Sequence, residues 1–333
     1  MRSKKKPVVA LLLGGTSPER EVSKSTGYSV YKALIALGYE TIVIDPAYGK
    51  KQPKKINDFI SKKNFTAISN NNYADAINSK IFDRVDIAFL ALHGKWGEDG
   101  TIQSLLELKG IKYTGSNVVT SALAMDKLMS KIIFKHYDIN TPAWIVVEKH
   151  DVEAGIKKKI KESFGYPCVV KPNDQGSTVG LTVCKNANGL SKALKLAQKF
   201  SDKVLIEEYI AGHEVTVGVL DNKPLPVLEI KPKHGIYDYK CKYTSGMSVY
   251  EVPANFPEWV QLELQAQALK AYNALGCKTY ARMDFRLSED YNTYCLEVNT
   301  LPGMTSTSLV PKMAKAVGIT FEELIDKIIK LAC

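Results

Sequence analysis

Residues 281–287 (ARMDFRL) and 294–299 (YCLEVN) alternate polar and apolar side chains across a short polar turn, the pattern of two half-buried strands. That alternation puts Arg282 and Asp284 on one face of the first strand, and Glu297 and Asn299 on one face of the second. A hairpin centred between Asp290 and Tyr291 sets Asp284 opposite Glu297 and Arg282 opposite Asn299. It leaves Met283, Phe285, Leu296 and Val298 together on the other face. Two carboxylates facing each other across a ladder repel. A divalent cation between them removes the repulsion, and Asp, Glu and Asn supply the hard oxygen donors that suit magnesium holding a polyphosphate. The other reading is a solvated sheet face with tolerated charges.

Further segments have types and spacing suited to chemistry. Residues 14–23 (GGTSPEREVS) follow an apolar run and open a helix, so their backbone N–H groups could receive an anion. They lack dinucleotide-site spacing, and the usual acidic residue after the second strand would have to be Asp45. Glu19 there either caps the helix or holds a substrate ammonium. Residues 92–100 (LHGKWGEDG) place His93 at the carboxyl end of a strand, where open α/β sheets bind ligands, although a lone histidine is more often structural. In residues 169–180 (VVKPNDQGSTVG), Lys171 ends a strand and a small flexible loop follows. Ser177, Thr178 and backbone donors could close over phosphates there, or the segment is a plain hairpin with an exposed lysine. Glu207, Glu208 and Glu214 lie in an acidic crossing at 206–214, suited to adenine amino and ribose hydroxyl groups or simply to the surface. Residues 299–309 run from the paired strand toward a helix, and Gly303 with the hydroxyl-rich stretch offers donors for a carboxylate or oxyanion.

The elements positioning these groups read as α/β. Apolar runs at 8–13, 41–45 and 86–92, separated by helical stretches including 21–37, predict a parallel sheet through about residue 115. A helical pattern spans 118–136. Strands follow at 169–172, 181–183, 204–208, 215–220 and 225–230, with helices near 188–200, 257–275 and 320–331. Residues 232–250 are polar and rich in Tyr and Lys, a long loop of the functional kind.

With 333 residues, more than one core is expected. Six cysteines without CxxC or metal-ligand spacing point to buried free thiols in a reducing cytosol. The basic start and its short apolar run read as a first strand rather than a signal peptide, and no segment has the length of a membrane span. A net charge of +10 raises nucleic-acid binding. The lysines are dispersed and no RNA-binding signature accompanies them, so a solvated basic surface that attracts anionic substrates is favoured, with no nucleic-acid or membrane partner expected.

Taken in order, residues 14–23, 92–100, 113–116 (YTGS), 124–131 (AMDKLMSK), 169–180, 237–243 (YDYKCKY), 281–285 and 297–311 (EVNTLPGMTSTSLVP) closely resemble the D-alanine:D-alanine ligase family of ATP-grasp enzymes. The likeness covers essentially the whole chain. Thr178, where a second serine is common, and Tyr209 at the adenine crossing are small departures.

The resemblance implies an ATP-grasp fold with three subdomains: an N-terminal Rossmann-like parallel α/β unit (1–115), a central unit (116–209) and a C-terminal unit (210–333) carrying a mobile loop, 232–250. It implies ATP-dependent formation of D-alanyl-D-alanine through a D-alanyl phosphate, for cytoplasmic peptidoglycan precursor synthesis, by a homodimer. In that reading Lys127 and Lys171 contact ATP phosphates, and Ser177 belongs to the loop over them. Glu207, Glu208, the backbone at Ile210, and Glu214 bind adenosine. Asp284, Glu297 and Asn299 hold two magnesium ions, or manganese. Glu19 takes the first D-alanine ammonium, with His93 near its carboxylate. Arg282 and the Gly303 backbone stabilise the oxyanion. Lys242, Ser308 and Leu309 receive the second D-alanine, and Ser177 and Tyr243 link Glu19 to the lid. No residue stands out as general base for the attacking amine. Competing readings are another ATP-grasp carboxylate-amine ligase or carboxylase, a nicotinamide dinucleotide-binding protein, and a non-enzymatic nucleic-acid binder.

Overall fold

A computed structural model describes residues 6–233 and 246–333. Strands β1 (Val9–Leu12), β2 (Thr41–Ile44), β3 (Ile87–Leu90) and β4 (Lys112–Tyr113) form a parallel sheet in the order β2-β1-β3-β4. Every residue of β1 and β3 is buried, as continuous apolar runs require when helices cover both faces. The connections carry α1 (Arg20–Ala36), α2 (Ile56–Ile60), α3 (Asn72–Ile77) and α4 (Thr101–Lys109). The chain leaves β1 toward β2 on one side and returns to β3 on the other. The loops after β1 and β3 therefore open side by side at the switch point of the sheet.

The helical pattern at 118–136 is two helices, α5 (Val118–Met125) and α6 (Lys127–His136), broken at Asp126. Asp126 is in extended conformation, and its carboxylate caps α6 by accepting from Met129 N. A second, antiparallel sheet follows, ordered β5-β8-β6-β7 from β5 (Trp144–Glu148), β6 (Cys168–Pro172), β7 (Thr182–Cys184) and β8 (Lys203–Glu208). Helices α7 (Glu153–Ser163) and α8 (Leu190–Ala197) bury Ile156, Ile160, Leu190 and Ala193 against Val147, Val170, Val204 and Ile206. By period-two alternation, Val169, Lys171 and Glu207 point from the opposite face.

The third sheet is six-stranded, from β9 (His213–Leu220), β10 (Lys223–Pro224), β11 (Leu228–Pro232), β12 (Ser248–Glu251), β13 (Tyr280–Leu287) and β14 (Thr293–Asn299). Helix α9 (Glu258–Ala274) covers one face, and Phe134 of α6 joins the same core. Helices α10 (Leu309–Ala316) and α11 (Phe321–Ala332) instead share a core with α1 and the first sheet. A capping box between Thr320 and Glu323 starts α11. Burial of Leu324, Ile325, Ile328 and Ile329 holds it, at roughly 1.5–3 kcal/mol for each large apolar side chain removed from water. None of the helices among the described residues is long and apolar enough to cross a membrane.

Two further sequence expectations change. The loop expected over 232–250 is shorter at its far end, because Ser248–Glu251 pairs antiparallel with β11. The hairpin of β13 and β14 does pair Asp284 with Glu297 and Arg282 with Asn299, but a bulge follows Asp284, so Phe285 faces Cys295 rather than Leu296. The turn is therefore centred on Asp290, and the extra residue on β14 restores the register at the polar end. Cys295, not Leu296, joins Met283 and Phe285 in the core, and Leu296 turns to the site face.

Candidate active site

Two clefts meet along β14. The larger, about 440 Å³, lies between the switch point of the first sheet and the polar face of β13 and β14. The smaller, about 150 Å³, lies between the exposed face of the second sheet and β13, β14 and the 208–214 crossing. Lys127, Gly176 and Glu297 line both.

In the larger cleft Glu19 occupies the N-cap position of α1, but its side chain makes no capping bond. It reaches across the cleft instead and accepts a hydrogen bond from Ser177 Oγ. A Cβ at Gly94 would lie 2.7 Å from Glu19 Oε2, so the glycine of the loop after β3 leaves room for this carboxylate. Ser177 and Thr178 both hold positive φ (50° and 59°), uncommon for non-glycine residues and typical of loops shaped by a site. His93 is buried, its Nε2 2.8 Å from Thr26 Oγ1, and burial pushes its pKa down, favouring a neutral ring. Gly303 and Leu309 line the same space, as does Ser308, whose Oγ accepts from Thr305 N at 3.0 Å. Lys242 and Tyr243 lie outside the described residues.

On β13, Arg282 grips Asp284 with two bonds, Nε to Oδ1 at 2.8 Å and Nη2 to Oδ2 at 2.7 Å. Thr216 Oγ1, paired with Asp284 on β9, donates to the same Oδ1 at 2.7 Å. Lys127 Nζ sits 3.1 Å from Glu297 Oε2 and donates to the carbonyl of Gln175 at 2.8 Å, tying α6 to the 173–181 loop. Among the described residues Asn299 Oδ1 is buried without a hydrogen-bond partner. An orphaned amide oxygen beside two carboxylates on adjacent strands fits a hard divalent cation, which satisfies acceptors and neutralises the carboxylate pair. Among the described residues no cluster of three His, Cys, Asp or Glu could hold a metal, so this donor set depends on the amide.

The smaller cleft has Val169, Val179, Leu181, Val183, Ile210 and the re-aimed Leu296 as apolar walls. Glu207, Glu208, Glu214 and Lys171 line it too. Lys171 Nζ is 2.7 Å from Glu207 Oε2, so it is paired inside the cleft rather than exposed on a plain hairpin. Glu208 Oε2 only just reaches Ala143 N, at 3.5 Å.

Four polar contributors escaped the sequence reading. Arg286 continues the alternation of Arg282 and Asp284; it donates to the carbonyls of Ile210 and Gly212 and lies 3.8 Å from Glu214. Glu98, within the same motif as His93, accepts from Gly94 N at 2.6 Å. Burial, then the nearby Glu19 carboxylate, raise its pKa well above the ordinary range. Lys131 lies one helical turn beyond Lys127. Thr216 carries no local signal, because only strand pairing brings it to Asp284. Asp45, the residue a dinucleotide site would need free, is fully buried. It lies 2.6 Å from Arg20 and accepts from Gly15 N and Ala47 N, which locks the glycine turn and removes the acceptor.

Comparison with known proteins agrees with this geometry. The D-ala D-ala ligase N-terminus family model matches residues 8–116 and the C-terminus model residues 133–330. The D-alanine--D-alanine ligase of Desulforamulus reducens is 44% identical, with 97% of this chain and 98% of that protein covered. That of Syntrophotalea carbinolica is 43% identical, with 96% and 94% covered. Among solved structures, the Bacillus anthracis D-alanine--D-alanine ligase complexed with ATP superimposes with a TM-score of 0.77 at 33% identity, covering 98% of this chain and 97% of that one. The VanG D-Ala:D-Ser ligase from Enterococcus faecalis gives 0.84 at 30% identity, covering 99% and 100%.

Proposed function

The chain belongs to the D-alanine–D-alanine ligase family, with its ATP-grasp fold, and we propose that it joins two D-alanines to D-alanyl-D-alanine for peptidoglycan synthesis, converting ATP to ADP and phosphate. The observation that carries this reading is the meeting of the two clefts at Lys127, Gly176 and Glu297. A phosphoryl group arriving from one cleft can meet a carboxylate held in the other.

The chemistry needs such a junction. A carboxylate is a poor acyl electrophile, so its oxygen first takes the γ-phosphoryl group and ADP departs. The amine of the second amino acid then attacks the acyl carbon, and phosphate leaves from the tetrahedral intermediate. In our assignment Lys127 and Lys171 bind phosphates, with Ser177 and the 173–181 loop over them. Adenosine lies on the apolar walls, with Glu207, Glu208, the Ile210 backbone and Glu214 at its polar edges. Glu19 holds the first ammonium, positioned by Ser177, and His93 lies near the first carboxylate. Arg282 and the Gly303 backbone face the oxyanion. Ser308 and Leu309 receive the second substrate, together with Lys242 and Tyr243 from the proposed lid. Asp284, Glu297 and Asn299 would hold two magnesium ions, or manganese, which supply charge neutralisation on the phosphates when bound. The three units 1–115, 116–209 and 210–333 are the subdomains of this assignment, supported by the three sheets. We assign the enzyme to the cytoplasm as a homodimer.

ATP hydrolysis should depend on D-alanine and on magnesium, with dipeptide formed in proportion to ADP. Mass spectrometry of products from D-alanine competing with D-serine or D-lactate tests the acceptor, and D-alanyl-D-alanine should dominate near neutral pH. Hydrolysis indifferent to D-alanine would refute the ligase reading. A mixed product as the main species would refute the acceptor assignment, and with it the role of Tyr243.

A further inference from the structure

Helix α6 sends two lysines toward the nucleotide cleft from successive turns, and only the first lines it. Lys131 is fully buried. Its Nζ lies 2.9 Å from Glu207 Oε1, 2.7 Å from Thr141 Oγ1 and 3.1 Å from the carbonyl of Pro142, with the Trp144 ring centre at 5.2 Å. Lys171 holds the other carboxylate oxygen of Glu207. One anion therefore serves two cations. Within the 116–209 unit the two lie on different elements: α6 packs into the core of the third sheet through Phe134, whereas Glu207 and Lys171 lie on adjacent strands of the second sheet. The Lys131–Glu207 pair thus bridges the two walls that close on the cleft.

The redundancy has a physical use. A buried carboxylate left without a counter-ion is strongly disfavoured. If Lys171 were the only partner of Glu207, drawing it to a phosphate would strand that charge. Lys131 does not line the cleft and is anchored by Thr141 Oγ1 and the Pro142 carbonyl, so it cannot follow. Building on the nucleotide assignment above, we propose that Lys131 is a positioning residue for ATP. It fixes Glu207 at the base end of the cleft and remains its counter-ion, which frees Lys171 to exchange Glu207 for a phosphate oxygen when nucleotide enters.

The test is a double-mutant cycle on the full chain with magnesium, using steady-state kinetics in ATP and in D-alanine. Lys131→Gln keeps N–H donors for Thr141 and Pro142 but removes the charge. It should raise KM for ATP about tenfold and leave KM for D-alanine within about twofold. Glu207→Gln should also raise KM for ATP. The double variant should match Glu207→Gln alone within about twofold, because a residue acting through Glu207 then has nothing left to act on. A folded Lys131→Gln with wild-type KM for ATP, or multiplicative losses in the double variant, would overturn the proposal. If Lys131→Gln fails to fold, the double variant, which buries neither charge, carries the comparison with Glu207→Gln and is judged by the same criterion. Lys171→Ala is the control for the underlying assignment. Wild-type ATP kinetics in both Lys171→Ala and Glu207→Gln would remove the nucleotide cleft itself. Impaired ATP kinetics in those two, with none in Lys131→Gln, would remove only the role of Lys131.

Discussion

Glu98, half-buried, and Glu207, buried, are the same residue type at the walls of two adjoining clefts, and their acidities move in opposite directions. Burial disfavours the charge of both. Around Glu98 the Glu19 carboxylate, and to a smaller extent Glu297, add to burial, which together outweigh the bond from Gly94 N and the charge of Arg282, and its pKa rises. Around Glu207 the ammonium groups of Lys131 and Lys171 overcome burial, and its pKa falls. The charge of Glu98 is thus disfavoured by its own neighbours in the larger cleft. In the smaller cleft Glu207 has cationic partners, and apolar side chains supply much of the wall, a setting that suits a purine base. Partners, rather than depth, decide the sign.

The sharpest way to break this division is at its boundary. Asp284→Asn or Glu297→Gln should lower turnover on the order of a hundredfold or more while circular dichroism stays native, since both clefts depend on that strand pair. Near-wild-type turnover in either variant would detach the hairpin from the chemistry. Next come substitutions on one side only. Lys171→Ala should raise KM for ATP by about tenfold or more and leave D-alanine binding intact, the scale of a lost charge-assisted hydrogen bond. Glu19→Gln should do the reverse, weakening the first D-alanine by about tenfold or more with little change in nucleotide affinity measured by calorimetry. If either variant shifted both substrates equally, the clefts would have to be regarded as one site.

The smallest expected effect is on stability and isolates Glu98. Its folded pKa lies above its unfolded one, so at pH between the two the native state binds more protons than the unfolded chain. The stabilisation is complete below the ordinary carboxyl range and fades as pH rises toward the folded value. Glu98→Gln keeps an acceptor for Gly94 N and removes the titration. Without ligands, its melting temperature should exceed that of the wild type by a few degrees at most at neutral pH, and the gap should close at acid pH. A gap independent of pH would mean that folding does not shift the Glu98 pKa.

Much of the site was legible along the chain because its signals are periodic or local. Alternation placed Asp284 and Glu297, and Arg282 and Asn299, opposite each other on the hairpin. It would also have marked Arg286, had it been followed one step further. The bulge was not legible, because an extra residue on one strand becomes evident only against its partner. Lys131 had a faint signal in its one-turn spacing from Lys127, but nothing near it in sequence names Glu207 as its partner.

The sequence by itself determined the three-part α/β order, the strand ends that carry polar groups, and the family to which the chain belongs. Those features are written in hydrophobic period, in turn residues and in motif order, all of which a chain possesses before it folds. Tertiary structure alone decided that Glu19 leaves its helix to meet Ser177, that Lys127 joins both clefts, and that Glu207 sits between two lysines. Each of these contacts joins residues far apart along the chain. Its strength comes from excluding water around paired charges, and that exclusion exists only once the sheets have closed on one another.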